Sequence, residues 1–429
     1  MKENIYVHLL KHRGFMAFWS STTLLRLASN VLQFALAIYV LDLTGSAFVY
    51  STVLSMIILP RILCSSFAGY LADYKDSIQI LRWGTLGLTG LMACFLAIHA
   101  LVISLNIPLV YALVISLELC ETFLGPTEGK TLLWLVTEDE IAPASKLSSL
   151  DDGIVEILSP VIAALFYGYF GMLGVLGVAL TMEGIAFLLT FILRRRVACT
   201  PVRDDTEKRP LFSVRNTFNA YREAILCLKD HSYIIGIVLF APLFNFFVSP
   251  LFSVTAPHYF RITMQANVDL YAVFNTVLGI AGLIAPFLAM IFIGDEDEYS
   301  ANKGGTAVSA VILLCLSCIL YFGNHVMPTI VSLYTVTAAM ALLASIVTIM
   351  NIATSITIKK HIPEQILGRV VSMIQLCATI SVPMGQMFFG FCADQLPVAI
   401  SYLVSAIGLA ITLAVMIKTY RLIRHTEKK

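Results

Sequence analysis

The chain has 429 residues, of which 58% are hydrophobic and 13% charged. Its mean hydropathy of +0.85 is too high for a soluble protein of this length, so the composition predicts a polytopic membrane protein. The net charge of +1 gives no basis for binding nucleic acid. The nine cysteines fall in predicted spans or predicted inner loops, which argues against a disulfide framework.

Apolar segments long enough to cross a bilayer recur along the chain. A hydrocarbon core of about 30 Å is crossed by about 20 apolar residues in a helix. This rule predicts twelve spans, which lie near residues 15–41, 48–71, 83–105, 108–127, 149–170, 174–193, 233–257, 269–293, 305–323, 329–358, 370–393 and 398–418. An even number of spans places both termini on the same side of the membrane.

A polar run at 194–232 interrupts the apolar pattern. It holds nine of the 28 Lys and Arg residues, and it cannot lie in hydrocarbon. We therefore predict an N-terminal half at 1–193, an aqueous connector at 194–232 and a C-terminal half at 233–429.

The two halves share a spacing of polar loops. The loops of the second half each follow their counterparts by 222 residues, with 294–304 after 72–82 and 359–369 after 137–147. The equal offsets indicate an internal repeat of the kind that secondary transporters have.

Basic residues concentrate in one set of loops. That set includes Lys75, Lys146 and the connector, whereas the other set holds only Arg261. By the positive-inside rule, both termini and the connector are cytoplasmic, in a plasma or inner membrane.

Several motifs resemble one family. The segment LDLTGSAFVYSTVLSMIILPRILCSSFAGYLADYKD has a TGSA turn, a Leu-Pro pair and a G-x-x-x-D pattern at Gly69 and Asp73. LVTEDEIAPASKLSSL, SPVIAALFY, PEQILGRVVSM and GFCAD extend the similarity along the chain. Together they resemble the macrolide-efflux-type branch of the major facilitator superfamily. The resemblance implies an all-α fold of twelve helices in two pseudo-symmetric six-helix halves.

The resemblance also implies a function. It predicts a monomer that exports a hydrophobic or amphipathic compound, such as a macrolide-like drug, in exchange for protons by alternating access. The family's basic residues after Asp73 are reduced to Lys75, and its fifth-span glycines are replaced by Ala163 and Ala164. Export of a siderophore, a lysolipid or an endogenous metabolite, and a non-transporting membrane sensor, therefore stay open as alternatives.

Ionisable residues within the spans are candidates for proton coupling. Arg26 of the first span and Glu118 of the fourth both lie near the midplane, and Glu121 shares a helix face with Glu118. In the fold that the chain resembles, the first and fourth helices line the central cavity. We expect Arg26 to pair with Glu118 or Glu121, one of which exchanges its proton. A static ion pair that only fixes helix packing is the alternative.

Other charged residues receive structural roles. Asp151, Asp152 and Glu156 lie near the aqueous boundary at the start of the fifth span and are expected to be solvated or to act as helix N-terminal charges. Glu183, on what the resemblance makes a peripheral helix, is expected to serve packing. Arg61 is a candidate to tie the second span to a neighbouring helix, but the sequence identifies no partner for it.

The second half carries almost no charge in its spans, so substrate contact there must be aromatic or neutral. An aromatic wall suits a bulky, partly apolar solute, and a buried amide needs a polar partner. The candidate substrate-binding residues are Gln33, Phe244, Asn245, Asn275, Asn351 and Gln375.

Three residues of the cytoplasmic motifs are candidates for gating, namely Gly69, Asp73 and Arg369. The segment GPTEGKT resembles a phosphate-binding loop, but it has one residue too few between its glycines and follows a membrane helix. The histidines are scattered. We therefore expect no nucleotide, metal or other cofactor, and no enzymatic activity.

Overall fold

The computed structural model describes residues 5–74, 76–101, 104–193, 232–292, 298–323, 328–361 and 364–426. These residues are almost entirely helical, and no strand occurs among them. We number the helices α1 (Ile5–Lys11), α2 (Arg13–Thr44), α3 (Ala47–Met56), α4 (Ile58–Tyr74), α5 (Ser77–Leu101), α6 (Ile107–Leu135), α7 (Glu138–Leu189), α8 (Ser232–Pro250), α9 (Val268–Phe292), α10 (Glu298–Gly323), α11 (Thr329–His361), α12 (Glu364–Gln395) and α13 (Val398–Thr426).

Nine helical segments in the described part of the chain are long and apolar enough to cross a membrane. One of them, Asp139–Ile192, contains two predicted spans. The chain turns between these spans at Gly171, which has φ 62° and ψ −154°. Side chains with a Cβ avoid this backbone conformation, so a glycine is required there. The fold is that of an all-α polytopic membrane protein, as predicted.

The second predicted span is broken into α3 and α4. A turn at Ile57 separates the two helices, and Pro60 follows three residues later. Proline has no amide hydrogen and its ring crowds the carbonyl four residues earlier, which here is that of Met56. The break therefore falls where the chain chemistry requires one.

The seventh predicted span continues beyond α8. The π-helical turns Leu251–Thr255 and Tyr259–Thr263 flank the short α-helical stretch Ala256–His258. These wider turns extend the helical path to Thr263, and Gln265 then ends it with a positive φ of 49°.

The chain divides into two compact units. Unit 1 comprises Met1–Tyr39 and Met56–Ser213, and unit 2 comprises Val40–Ser55 and Val214–Lys429. In unit 1, α6 packs against α4 and α5, while in unit 2, α8 packs against α12 and α13. The segment 40–55 thus belongs to the unit that holds the later helices. The predicted connector lies outside the described residues, except for Ser232, which begins α8.

Candidate functional site

A buried carboxylate lies on α6 beside an arginine of α4. The side chain of Glu118 is almost completely buried, and its Oε1 accepts a hydrogen bond from Nε of Arg61. The Arg61 side chain is about half exposed. Asn106 begins α6 by accepting a hydrogen bond from the Leu109 amide over 3.1 Å. Glu118 lies about 16 Å along the helix from this end.

A second carboxylate lies one turn further along α6. Oε1 of Glu121 accepts a hydrogen bond from Oγ of Ser29 on α2. Glu121 also interacts electrostatically with Glu183 on the second limb of α7. Glu183 is 4% exposed, and its Oε2 has no hydrogen-bond partner within the described part of the chain. Three carboxylates from two helices therefore lie in one region of unit 1.

The predicted pairing of Arg26 with Glu118 or Glu121 is wrong. Nη2 of Arg26 lies 3.7 Å from Oε2 of Glu128, and Nη1 lies 4.0 Å from Oδ2 of Asp151. Glu128 follows Glu121 by two turns of α6, about 10 Å along the axis, so Arg26 lies beside a different level of that helix. The sequence places residues by depth only, and it contains no information on which turns of two helices face each other.

One further expectation needs correction at this site, and a second is completed. Asp151 is 2% exposed, so it is buried beside Arg26 and is not a solvated residue at the helix start. Arg61, for which the sequence identified no partner, is bound to Glu118. Arg61 and Glu118 lie at similar distances from the predicted outer ends of their spans, which is the one sequence signal that would have suggested the pair.

A lysine of α6 fixes the end of α4. Nζ of Lys130 donates a hydrogen bond to the carbonyl of Ala72 and lies 5.5 Å from the centre of the Trp134 ring. Cations favour the C-terminal end of a helix, where carbonyl groups lack partners within the helix. Together with the Arg61–Glu118 pair, this contact joins α4 to α6.

The candidate substrate residues of unit 2 have varied environments. Phe244 is buried, with its ring centre 5.6 Å from that of Phe240. Asn245 is half-buried, and Nδ2 of Asn275 donates to the Tyr271 carbonyl one turn earlier over 2.9 Å. The Asn275 amide therefore has a partner within its own helix.

Most of the remaining candidates for substrate binding and gating are exposed, or their side chains lie outside the described part of the structure. Gln33 and Asn351 are exposed, and the side chain of Gln375 lies outside the described part of the structure. Gly69 lies in α4, where an added Cβ would meet no atom of the described residues within 4 Å. The side chains of the other two gating candidates, Asp73 and Arg369, are also outside the described part.

A carboxylate that the sequence did not select as a site residue lies at the end of α12. Oδ2 of Asp394 accepts from Oγ of Ser46 over 2.5 Å and from the Phe48 amide over 3.1 Å, and its Oδ1 accepts from the Ala47 amide over 2.6 Å. Asp394 is the last residue of the GFCAD motif, and Ser46 belongs to the TGSA turn. The two motifs are far apart in the sequence, and only the fold brings them into contact.

Arg261, the single basic residue of the predicted outer loops, pairs with Asp42, which lies shortly before Ser46 in the sequence. Nη2 of Arg261 lies 2.7 Å from both carboxylate oxygens of Asp42, and its Nε lies 3.1 Å from Oδ1. Nη1 of Arg261 donates to the Ala266 carbonyl over 2.7 Å. Such bidentate geometry makes full use of the planar guanidinium group.

The helical architecture and the buried intramembrane charges are those of a membrane transporter. Residues 18–385 match the family model of the Major Facilitator Superfamily, and the chain belongs to that family. The proteins compared are transporters and not enzymes.

Two curated relatives are distant in sequence. The MFS-type transporter YkuC of Bacillus subtilis is 22% identical over 249 residues, which are 56% of this chain and 54% of the relative. Macrolide efflux protein A of Streptococcus pyogenes is 23% identical over 252 residues, which are 58% of this chain and 60% of the relative. The chain thus matches somewhat over half the length of these relatives.

Solved structures show the same fold. A bacterial homologue of the iron transporter ferroportin, in its inward-facing state, has a TM-score of 0.71 at 14% identity and covers 96% of this chain and 99% of its own. The nucleoside transporter NupG has a TM-score of 0.66 at 12% identity and covers 97% of this chain and 99% of its own. At these identities the likeness concerns the fold alone.

Proposed function

We propose that the protein is a secondary active transporter that exports a hydrophobic or amphipathic small molecule in exchange for protons, by alternating access. The observation that carries the proposal is the group of carboxylates Glu118, Glu121 and Glu183 in unit 1, of which Glu118 and Glu183 are buried and Glu121 is half-buried. A carboxylate at this depth costs roughly 3 kcal/mol or more, so it is retained where it has a partner or a task.

The three carboxylates differ in what holds them. Glu118 is paired with Arg61 and Glu121 with Ser29, whereas Glu183 keeps one oxygen without a hydrogen bond in the described structure. A proton can bind to that oxygen without displacing an existing donor. Because Glu183 and Glu121 interact, the arrival of a proton at one changes the electrostatic field at the other. The two carboxylates lie on α7 and α6, and we propose that this interaction couples proton entry to movement of these helices.

The substrate class rests on different support. The similarity to macrolide efflux protein A favours a large, partly apolar solute. Unit 2 offers matching chemistry, since Phe244 and Phe240 lie together on α8 with Asn245 beside them. Stacking and apolar burial would hold such a solute, and the amide would orient it. The remaining candidate amides, Gln33, Asn275, Asn351 and Gln375, are further proposed contacts.

The same proposal includes the membrane location, the oligomeric state and the gating residues of the protein. It is a multi-pass membrane protein, and we place it in the plasma or inner membrane with both termini in the cytoplasm, because its basic loops lie on that side by the positive-inside rule. We propose that it acts as a monomer, and that Gly69, Asp73 and Arg369 take part in gating on the cytoplasmic side.

Retention of erythromycin and of fluorescent amphiphiles in cells that express the protein tests this proposal. We expect lower retention than in control cells, and a protonophore should abolish the difference. Glu121→Gln and Glu183→Gln should lose export against a gradient, whereas the matched control Asp139→Asn, an exposed carboxylate of α7, should keep it. Unchanged retention of every compound would refute broad export. Protonophore-resistant export that survives both Gln variants would indicate a facilitator without proton coupling.

A further inference from the structure

The N-terminal end of α3 is held by a residue from a distant part of the chain. The first amides of a helix have no partner within the helix and need an external acceptor. Asp394 accepts from two of them, those of Ala47 and Phe48, while Oγ of Ser46 accepts from the Val49 amide over 3.2 Å. Charge-assisted hydrogen bonds at a helix N-terminus are stronger than neutral ones, because the helix dipole favours a negative charge there.

The packing around this contact is tight. A Cβ added to Gly390 would lie 2.5 Å from Oγ of Ser51 and 2.8 Å from the Ala47 carbonyl, so α3 and α12 approach closely at the glycine. Ala47 and Ala393 share a small buried apolar cluster with Val254. The carboxylate cap and the close contact at the glycine together make this helix–helix contact specific for α3 and α12. We call Ser46, Ala47, Phe48 and Asp394 the Asp394 latch.

The other half of the same span is fastened elsewhere. The division between the units falls between Ser55 and Met56, next to the break at Ile57. After the break, α4 is joined to α6 by the Arg61–Glu118 pair. Before the break, α3 is joined to α12 by the Asp394 latch. One predicted span therefore has two separately anchored pieces with a proline-induced break between them.

We propose that the Asp394 latch is a releasable conformational lock, and that its opening lets α3 leave α12 during transport while α4 stays anchored to α6. The inference rests on the proposed alternating access, since a static membrane protein has no need for release. Every latch bond ends on the Asp394 carboxylate, with one bond from the Ser46 side chain and two from backbone amides at the start of α3. The bonds can therefore open without unfolding either helix. His258 is an ionisable group that also lies beside the carboxylate, with its Nε2 3.8 Å from Oδ1 of Asp394.

Cysteine labelling measures the opening. Ser51 is fully buried beside Gly390, and Ser51→Cys is a nearly isosteric probe. Ser405→Cys, on α13 and equally buried, is the matched control position. Both chains are expressed in cells and treated with a membrane-impermeant maleimide, with the unmodified chain as the background. Labelling at position 51 should proceed in the otherwise native chain, because the latch opens in each cycle.

Weakening the latch should accelerate labelling at position 51 alone. Asp394→Asn keeps the side-chain size but removes the charge, and we expect about a tenfold faster rate. Ser46→Ala removes one donor and should give a smaller increase. Equal rates with Asp and Asn at 394, or no labelling of position 51 in either chain, would overturn the proposal. A parallel rise at position 405 would also overturn it, because Asp394 would then support the whole fold.

The labelling experiment needs no transported compound. A failure of the latch proposal therefore leaves proton-driven export untouched. Conversely, if the retention assays detect no export, the labelling rates still test the latch on their own.

Discussion

Replacing Arg61 with Gln should destabilise the protein more than replacing its partner Glu118 with Gln. Glu118 is 4% exposed and the guanidinium of Arg61 is its hydrogen-bond donor, so the arginine variant leaves a buried carboxylate without a cation. Removing one partner of a fully buried ion pair costs about 3–5 kcal/mol. Arg61 is half exposed, so we expect a loss of about 1–3 kcal/mol after allowing for screening. Glu118→Gln leaves a cation whose side chain is half exposed, so we expect a smaller cost of about 0–1 kcal/mol.

A double-mutant cycle measures this asymmetry. The unfolding free energy of the four proteins is determined in mixed micelles by titration with a denaturing detergent. The Arg61→Gln/Glu118→Gln protein should be more stable than Arg61→Gln alone, because the buried charge is gone. Additive losses, or an Arg61→Gln variant as stable as the native protein, would refute the view that this pair compensates a buried charge. Asp139→Asn serves as an exposed control.

Three further substitutions test a close helix contact, its control and a hydrogen bond. Gly390→Ala should lower stability by about 1–3 kcal/mol, since the new Cβ would lie 2.5 Å from Oγ of Ser51. Gly69→Ala should change stability little, because its Cβ meets no described atom within 4 Å. Equal thermal shifts for the two variants would contradict the close approach at Gly390. Ser29→Ala removes the donor to Glu121 and should reduce protonophore-sensitive export severalfold with normal expression, and unchanged export would exclude Ser29 from the coupling site.

The charged residues within the spans show where sequence reasoning succeeded and where it stopped. The sequence identified Arg26, Glu118 and Glu121 as ionisable groups at bilayer depth, and each has a polar or charged partner in the structure. The identity of those partners was wrong for Arg26. Hydrophobic segments define depth to within a turn or two, but the rotation of a helix about its axis depends on the side chains of all its neighbours. Glu183 illustrates the same limit, because its neighbour Glu121 lies on a helix remote in sequence.

The Asp394 latch shows a second kind of limit. GFCAD and TGSA are recognisable as motifs, yet they are separated by more than 340 residues, and nothing local in either indicates the other. By contrast, the break at Ile57 and the turn at Gly171 follow from the chemistry of Pro60 and of glycine itself. Backbone constraints of this kind depend on the chemistry of a single residue, so they can be inferred from the sequence.

The sequence by itself determined that the protein is all-helical and multi-pass, because the bilayer requires long apolar helices and excludes unpaired backbone. Its motifs added the resemblance to the major facilitator superfamily. It also located the rare ionisable residues, since their cost in hydrocarbon makes them conspicuous. Only the tertiary structure decided that Arg61 holds Glu118, that Arg26 lies with Glu128 and Asp151, and that Asp394 caps α3. These partnerships depend on helix rotation and on close contacts between distant segments, which arise from packing and have no local signature in the chain.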